Sequence, residues 1–335
     1  MIVLDADVLG RNRTGEETYV LNLLRQLPFV APDLAFGAIT RRPDLVPDGV
    51  EPIELPARFQ ETRMAWSLPR LLRRLRPEAA HFQHALPLGW NGPSVLTLHD
   101  LHFERDPSVM SLADRITFKT VVPRSARRAA HVLAVSERTK RDAIELYGLD
   151  PQTITVTPHG VDPAFTPGDG PEGDYLLFVG AVQARKDPLA ALAAAQAVGR
   201  PLVVVGPAKE PELVQALRDG GADVRGWVEQ SELAELYRGA AALVLPSRFE
   251  GFGIPVLEAM ACGVPCVVSA HPSLDEACGD AAVRADPESP EEFAAGIRRA
   301  LADREELVAR GFAHARRFTW LETGRIHLQS YADAL

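Results

Sequence analysis

The run PSRFEGFGIPVLEAMACGVPCVVS, Pro246–Ser269, gathers the groups best suited to chemistry. It turns through Gly251 and Gly253 and enters a helix expected over Pro255–Cys262, with proline in its first position. The first amides of a helix have no partner within it and carry a partial positive charge, which suits a phosphate. Glycine lets backbone approach a ligand closely. Glu250 stands in the turn, and Glu258 follows eight residues later among Val256, Leu257, Ala259 and Met260. Two glutamates at that spacing are either a solvated pair or two acceptors for one polar ligand; the glycine turn and the apolar helix favour the second. Arg185 and Lys186 form another group. Lys186 is one of four lysines beside 32 arginines, and two adjacent cations just after a strand are either a solvated loop pair or a diphosphate site. His99 follows a buried run and is either satisfied in the core or presented to a ligand. Cys262 and Cys266 lack further ligands at zinc spacing and read as small buried hydrophobes. Asp5-Ala6-Asp7 has the spacing of a metal pair but sits mid-strand at the N-terminus, so it is set aside.

Positioning such groups takes a scaffold. The chain has 335 residues, 46% hydrophobic and 24% charged, which excludes disorder and suggests about two domains. No apolar stretch reaches spanning length. The start, MIVLDADVLG, lacks a basic n-region and reads as a strand rather than a signal peptide. Strands are expected at Ile2–Leu4, Leu34–Ile39, Ala79–Phe82, Ser94–Leu98, His131–Val135 and Thr153–Thr157. The helices between them are Glu17–Leu27 (ended by Pro28), Trp66–Leu75, Ile116–Ala130 and one capped by Ser136 that runs to Tyr147. Pro158–Gly173 holds four prolines and four glycines and reads as the linker. A second series follows: strands Tyr175–Val179, Pro201–Val205, Val224–Val228, Ala242–Leu245 and Val264–Ser269, with helices Leu189–Val198, Pro211–Arg218 and a capped Ser231–Arg238. Long helices close the chain. Such alternation implies an α/β fold with mostly parallel sheets covered on both faces. Parallel sheets hold ligands outside the carboxyl ends of their strands, which singles out Leu9–Gly15, His99 and Asp100, Ser136, His159 and Gly160, Gly180–Lys186, Gly206, Gly226 and Ser247–Gly253.

Charge is unevenly spread. Residues 1–165 carry 20 Lys+Arg against 20 Asp+Glu, whereas residues 166–335 carry 16 against 25, so the whole net charge of −9 lies in the second half. A general nucleic-acid surface is excluded there, and an anion must be held by a few placed groups.

The Pro246–Ser269 run resembles the Glu-x7-Glu signature of family-4 retaining glycosyltransferases of the GT-B fold. The likeness covers almost the whole chain, in the family's order: Arg13–Leu27 resembles its glycine loop and first helix, Leu96–Phe103 its His-Asp segment, Val135–Gly148 and Val156–Asp162 the end of its first domain, Tyr175–Pro188 the opening of its second, and Gly279–Val283 a late donor-domain segment. The resemblance implies two Rossmann-like domains facing across a cleft: an acceptor-side domain at 1–165, a nucleotide-sugar donor domain at 166–313, and a C-terminal helix at 314–335 packing back on the first domain. It implies that Glu258 binds the donor ribose, Glu250 the donor sugar near its 3-hydroxyl, and Arg185 and Lys186 the diphosphate. The amides of Phe252, Gly253, Ile254 and Gly15 assist, Gly180 and Gly206 line the donor site, and Val224–Gly226 meet the base. His99 lies beside the sugar, with Asp100 and Ser136 on the acceptor side. Neither a metal nor another cofactor is implied; the nucleotide sugar is a substrate. The expected chemistry is metal-independent, front-face transfer of a hexose, with mannose favoured, from a donor of GDP-mannose or UDP-glucose type to a glycan or lipid-linked acceptor. A GT-B-like nucleotide-sugar epimerase and a non-catalytic nucleotide-sugar binding protein stay open as alternatives. A nicotinamide oxidoreductase fails for want of G-x-G-x-x-G after the first strand.

Ala181 stands where family members often carry arginine, leaving Arg185 and Lys186 to neutralise the anion. Glu16 and Glu17 follow Gly15, so their carboxylates must point away, bind the acceptor or oppose the donor. Arg58–Arg76 holds six arginines interleaved with Phe59, Met64, Trp66, Leu68, Leu71, Leu72 and Leu75. It reads first as a surface helix with an apolar inner face; the alternatives are a contact for anionic membrane or a grip on an anionic or lipid-linked acceptor. The expected location is the cytoplasm, free or at the inner membrane face.

Overall fold

Strands apolar on both faces demand cover on both faces, and the chain supplies it with a helix after nearly every strand. The computed structural model describes residues 1–11, 14–57, 59–105, 112–168 and 173–335. Arg13, Arg58 and part of the Pro158–Gly173 linker lie outside the described residues. Two compact units result: Met1–His159 with Trp320–Leu335, and Gly160–Thr319.

The first unit is a seven-stranded sheet of β1 (Ile2–Asp5), β2 (Phe36–Thr40), β3 (Glu51–Glu54), β4 (Ala79–Gln83), β5 (Ser94–Leu98), β6 (His131–Ala134) and β7 (Ile154–Val156). Its order is β3-β2-β1-β4-β5-β6-β7, with every pair parallel. Alternation sorts the side chains. Ile2, Leu4, Ala38, Val95 and Leu133 join one core, and Val3, Ile39, Phe82, Leu96 and Val132 join the other. The last helix, Trp320–Asp333, packs on the first, Thr14–Val30.

The second unit has six parallel strands: β8 (Tyr175–Val179), β9 (Leu202–Val205), β10 (Asp223–Gly226), β11 (Ala240–Leu245), β12 (Cys266–Ser269) and β13 (Ala282–Ala285). They are ordered β10-β9-β8-β11-β12-β13. Strand order reverses between β1 and β4 in one sheet and between β8 and β11 in the other. Ligands of open α/β sheets sit at such reversals, outside the carboxyl ends of the strands.

Several expectations are corrected. Pro28 does not end its helix, which runs to Val30; a proline in the last turn removes one hydrogen bond without stopping the chain. The edge strand β3 was not expected, because in EPIE only Ile53 is buried and proline is tolerated only at an edge. Strand β13 was likewise not expected. The strand expected over Val224–Val228 is Asp223–Gly226, and the capped helix expected over Ser231–Arg238 is Gln230–Arg238, with Glu229 before it making no side-chain cap. The helix expected from Trp66 is instead a π-helical turn, Arg63–Ser67, leading into Leu68–Leu75. Ser136 does cap Glu137–Tyr147, its hydroxyl accepting from the Thr139 amide at 3.1 Å, and Gly148 closes that helix at φ +64°.

Candidate active site

In the second unit, both loops at the strand-order reversal carry the expected residues. After β8 the chain makes a short 3-10 turn, Ala184–Lys186, and after β11 it forms the loop that leads into the helix Ile254–Ala261. The Arg248 amide donates to the Arg185 carbonyl at 3.0 Å, joining the two loops. Lys186 Nζ donates to both oxygens of Glu250, at 2.5 Å to Oε2, and the Arg185 guanidinium lies 3.8 Å from the same carboxylate. Arg185 also donates to the Phe249 carbonyl. Ser273 accepts from the Glu250 amide at 2.9 Å, and Ser269 donates to the Ser247 carbonyl at 2.5 Å. Burial pushes the Glu250 carboxyl up, but Lys186 and Arg185 outweigh it and hold it below the usual carboxylate range. Each charge is compensated by its partner. A diphosphate can take over Lys186, freeing Glu250 to accept from a hydroxyl.

Gly253 occupies the position before the helix at φ +108°, and a Cβ there would meet Leu274 Cδ2 at 2.7 Å. Only glycine allows this entry, which offers the first amides of the helix to the loop. Phe252 and Ile254 bury their side chains, leaving backbone as what they can present. The three loops after β8, β9 and β10 are stitched together: the Gly180 amide donates to Val205 at 2.8 Å and the Gly206 amide to Gly226 at 2.7 Å. A Cβ on Gly206 would lie 2.1 Å from the Gly180 carbonyl, so that close approach also requires glycine. Val224 sits one residue pair before this seam, opposite Val204.

Glu258 is buried on the same helix and accepts from the Tyr237 hydroxyl at 2.8 Å. Burial raises its carboxyl to about 7, against the lowering effect of Tyr237, and Asp162 adds to the rise. Cys262, Cys266 and Cys278 are buried and free. Burial pushes the thiols of Cys262 and Cys278 up to about 12, so they are inert hydrophobes here.

In the first unit, His99 follows β5 directly. Its Nε2 is 2.8 Å from Gln83 Oε1, and its ring meets Tyr19 edge-on at 4.8 Å, lies 5.1 Å from His84 and stacks at 6.1 Å on His159. Burial, then the neighbouring imidazoles, keep it neutral well below the usual histidine range. Glu17 turns back and accepts from the Gly10 amide at 2.6 Å. Glu16 instead joins His84 and His99, with one ligand-type atom from each within 4.8 Å of the others. Among the described residues this is the one group of three that could hold a metal ion. Gly15 is exposed in the first turn of the helix Thr14–Val30, with nothing within 4 Å of its Cβ position. Asp100 is 2.6 Å from His102 Nδ1. Ser136 is wholly buried as a helix cap, so its hydroxyl serves the helix and not the surface.

Asp5 and Asp7 are not a metal pair. Arg63 donates to Asp5 at 2.5 and 2.9 Å, and Arg41 to Asp7 at 2.7 and 2.8 Å. In Arg58–Arg76, Arg63 is fully buried and Leu68, Leu71 and Leu72 belong to the core, as the favoured reading of a surface helix with an apolar inner face requires. The exposed residues include Phe59, Glu61, Trp66, Arg70, Arg73, Arg74 and Arg76, with Arg70 lying 4.6 Å from the centre of the Trp66 ring. Sequence reading missed Gln83, His84, Tyr237 and Ser273. Each lies far along the chain from the residue it supports, and no local spacing signals it.

Comparison with known proteins follows the same division. Residues 13–165 match the family described as Glycosyltransferase Family 4, and residues 173–303 match Glycosyl transferases group 1. The chain is 31% identical over 255 residues to O-antigen chain mannosyltransferase B of Escherichia coli, covering 68% of this chain and 67% of that protein. It is 33% identical over 290 residues to D-inositol 3-phosphate glycosyltransferase of Acidothermus cellulolyticus, covering 73% of this chain and 63% of the relative. Anabaena Alr3699/HepE, solved in complex with UDP-glucose, superposes with a TM-score of 0.78 at 16% identity, over 99% of this chain and 98% of that one; a likeness at that identity concerns the fold. Among the described residues no helix is long and apolar enough to cross a membrane.

Proposed function

Because the chain belongs to the group 1, family 4 glycosyltransferases of the GT-B fold, we propose that it moves a hexose, with retention, from a nucleoside-diphospho-sugar to a glycan or lipid-linked acceptor without a metal. The observation that carries this reading is the group at the β8/β11 reversal: Lys186 and Arg185 on Glu250, beside a glycine-entered helix N-terminus that also bears Glu258. Lys186, Arg185 and the amides of Phe252–Ile254 hold the diphosphate, Glu250 accepts from the sugar and Glu258 from the ribose. As the glycosidic bond breaks, charge grows on the departing phosphate, and groups already fixed there stabilise the transition state more than the ground state. The acceptor hydroxyl attacks the anomeric carbon from the leaving-group side and passes its proton to the departing phosphate oxygen. His99, neutral and with Glu16 and His84 beside it, is the polar group that the first unit contributes to this reading.

Mannose is the favoured sugar, supported by the mannosyltransferase relative; solved neighbours hold UDP and UDP-glucose, so both bases belong in the test. The exposed Trp66 and the arginines beside it are the part of the surface suited to an anionic bilayer, which would place the enzyme at the inner face of the cytoplasmic membrane. Thermal-shift screening of GDP- and UDP-sugars, followed by NMR assignment of the product anomer with and without EDTA, tests the proposal. An α-linked product from an α-linked donor, unaffected by EDTA, is expected. Inversion, or turnover that needs a divalent ion, overturns the mechanism, and the absence of any sugar-nucleotide shift overturns the function.

A further inference from the structure

We propose that Tyr237 is a positioning residue for donor binding: its hydroxyl fixes one oxygen of Glu258, so that the carboxylate meets a ribose diol in one orientation and in its ionised form. The inference rests on the reading of Glu258 as the ribose acceptor and goes beyond it, to a side chain that never touches the ligand.

Tyr237 lies on the helix Gln230–Arg238 and is 0% exposed; Glu258 lies on the helix Ile254–Ala261 and is 7% exposed. Among the described residues, the 2.8 Å bond between them is the one hydrogen bond made by either side chain's oxygen atoms, and it goes to Oε2 alone. A carboxylate has two oxygens with about four acceptor positions. Pinning one oxygen stops rotation about the terminal bond and leaves the other oxygen and the remaining lone pairs for hydroxyls. A tyrosine hydroxyl in a site that excludes water has a strong reason to donate, because a buried donor without an acceptor is costly. Burial drives the Tyr237 hydroxyl further from ionisation, so it remains a donor.

The charge surroundings make the bond consequential. The helix bearing Glu258 is otherwise apolar, and burial favours the protonated acid. The titratable groups facing Glu258 are Tyr237 from the neighbouring helix, Asp162 from the segment after Gly160, and the neutral Cys262 thiol from the end of its own helix. Among them Tyr237 alone stabilises the carboxylate; Asp162 opposes it. Removing the hydroxyl therefore leaves a carboxyl that is free to rotate and protonated further up the pH range. A protonated carboxyl offers a diol one acceptor and one donor in place of two acceptors, which weakens a bidentate grip on two hydroxyls.

The test uses Tyr237→Phe, which keeps the ring and its packing, in the full chain. Calorimetric titration with UDP and GDP identifies the tighter nucleotide, and the same nucleotide in 2′,3′-dideoxy form removes the diol. At pH 7 the variant is expected to bind the ribonucleotide about tenfold more weakly, the scale of one hydrogen bond to a charged group. At pH 9 the gap is expected to close to about twofold as Glu258 ionises without help. For the dideoxy nucleotide, wild type and variant should agree at both pH values. In a Glu258→Gln background, Tyr237→Phe should change nothing further. If wild type does not distinguish the diol from the dideoxy form, Glu258 does not read the ribose, and the reading of that residue fails. If wild type does distinguish them but Tyr237→Phe leaves affinity unchanged, or weakens it equally at pH 7 and pH 9, Tyr237 is only structural and this proposal fails.

Discussion

At the scale of single residues, the second unit buries two carboxylates and treats them oppositely. Glu250 lies against two cations and is held ionised; Glu258 has only a tyrosine and is pushed up to about 7. The first arrangement predicts that Lys186→Ala lowers turnover by about 10²–10³, since one preorganised donor at a developing charge is worth that much; near-normal turnover by a folded variant, measured by release of nucleoside diphosphate, contradicts it. The second predicts a stability effect. A carboxyl whose folded value lies above its unfolded value binds more protons when folded, so stability falls as pH rises from about 4.5 to about 7. Glu258→Gln removes that cost. The variant should melt close to wild type at pH 5 and a few degrees higher at pH 8, read by circular dichroism; a lower melting point at pH 8 contradicts a buried carboxylate held at a cost for function. Glu250 and Glu258 were legible in the sequence because glycines and an apolar helix frame them. Their supports were not: Ser273 and Tyr237 stand 23 and 21 residues away, and nothing in local spacing marks a tyrosine as a donor to one particular acid.

At the scale of elements, the last helix closes the first unit through a chain of buried hydrogen bonds whose direction is fixed at one end. The Thr323 carbonyl can only accept, so His327 Nδ1 donates to it at 2.6 Å and Nε2 must accept from the Tyr19 hydroxyl, also at 2.6 Å. Thr97 then donates to Tyr19 at 2.8 Å, His81 Nε2 to Thr97 at 2.7 Å, and Tyr331 to His81 Nδ1 at 2.9 Å. Both imidazoles are neutral: burial brings His327 down to about 4 and, with the like charge of His327, keeps His81 well below the usual range. Histidines with depressed folded values must gain protons to unfold, so the unit is unaffected above about pH 6.5 and loses stability as pH falls from there towards 4. His327→Leu leaves the Tyr19 hydroxyl without its acceptor, at a cost of about 1–3 kcal/mol at pH 7.5. The same change flattens the acid limb of the melting-point profile; an unchanged limb would mean that His327 already titrates in its ordinary range. The sequence reading expects a final helix that packs back on the first domain. It could not show what lies beneath it, because the network joins residues 19, 81, 97, 327 and 331, which only the doubly wound topology gathers.

At the scale of the whole molecule, the parallel α/β plan followed from the alternation of elements, whereas β3 escaped notice because an edge strand with one buried residue has no pattern to read. The charge distribution follows the division into units. Residues 1–159 with 320–335 carry 21 Lys+Arg and 21 Asp+Glu, while residues 160–319 carry 15 and 24. The unit that bears Lys186 and Glu258 is therefore the one with the excess of negative charge, and a diphosphate approaching it meets a repulsive far field and an attractive near one. The two respond differently to salt. Repulsion from charges spread over the surface acts beyond a Debye length, about 8 Å at physiological ionic strength, and is screened away. On the proposed reading the attraction comes from Lys186, only 11% exposed, and from helix amides, which salt screens much less. Nucleoside-diphosphate affinity should accordingly change by less than about threefold between 20 and 300 mM NaCl. In Lys186→Ala, stripped of its main near-field cation, affinity should rise with salt. Proteins that bind anions through a general basic surface lose affinity steeply over the same range. Calorimetric titration at four salt concentrations separates the cases. A tenfold or greater fall in wild type would show that the donor anion is drawn by exposed cations elsewhere, and would remove Lys186 and Arg185 from the centre of the site.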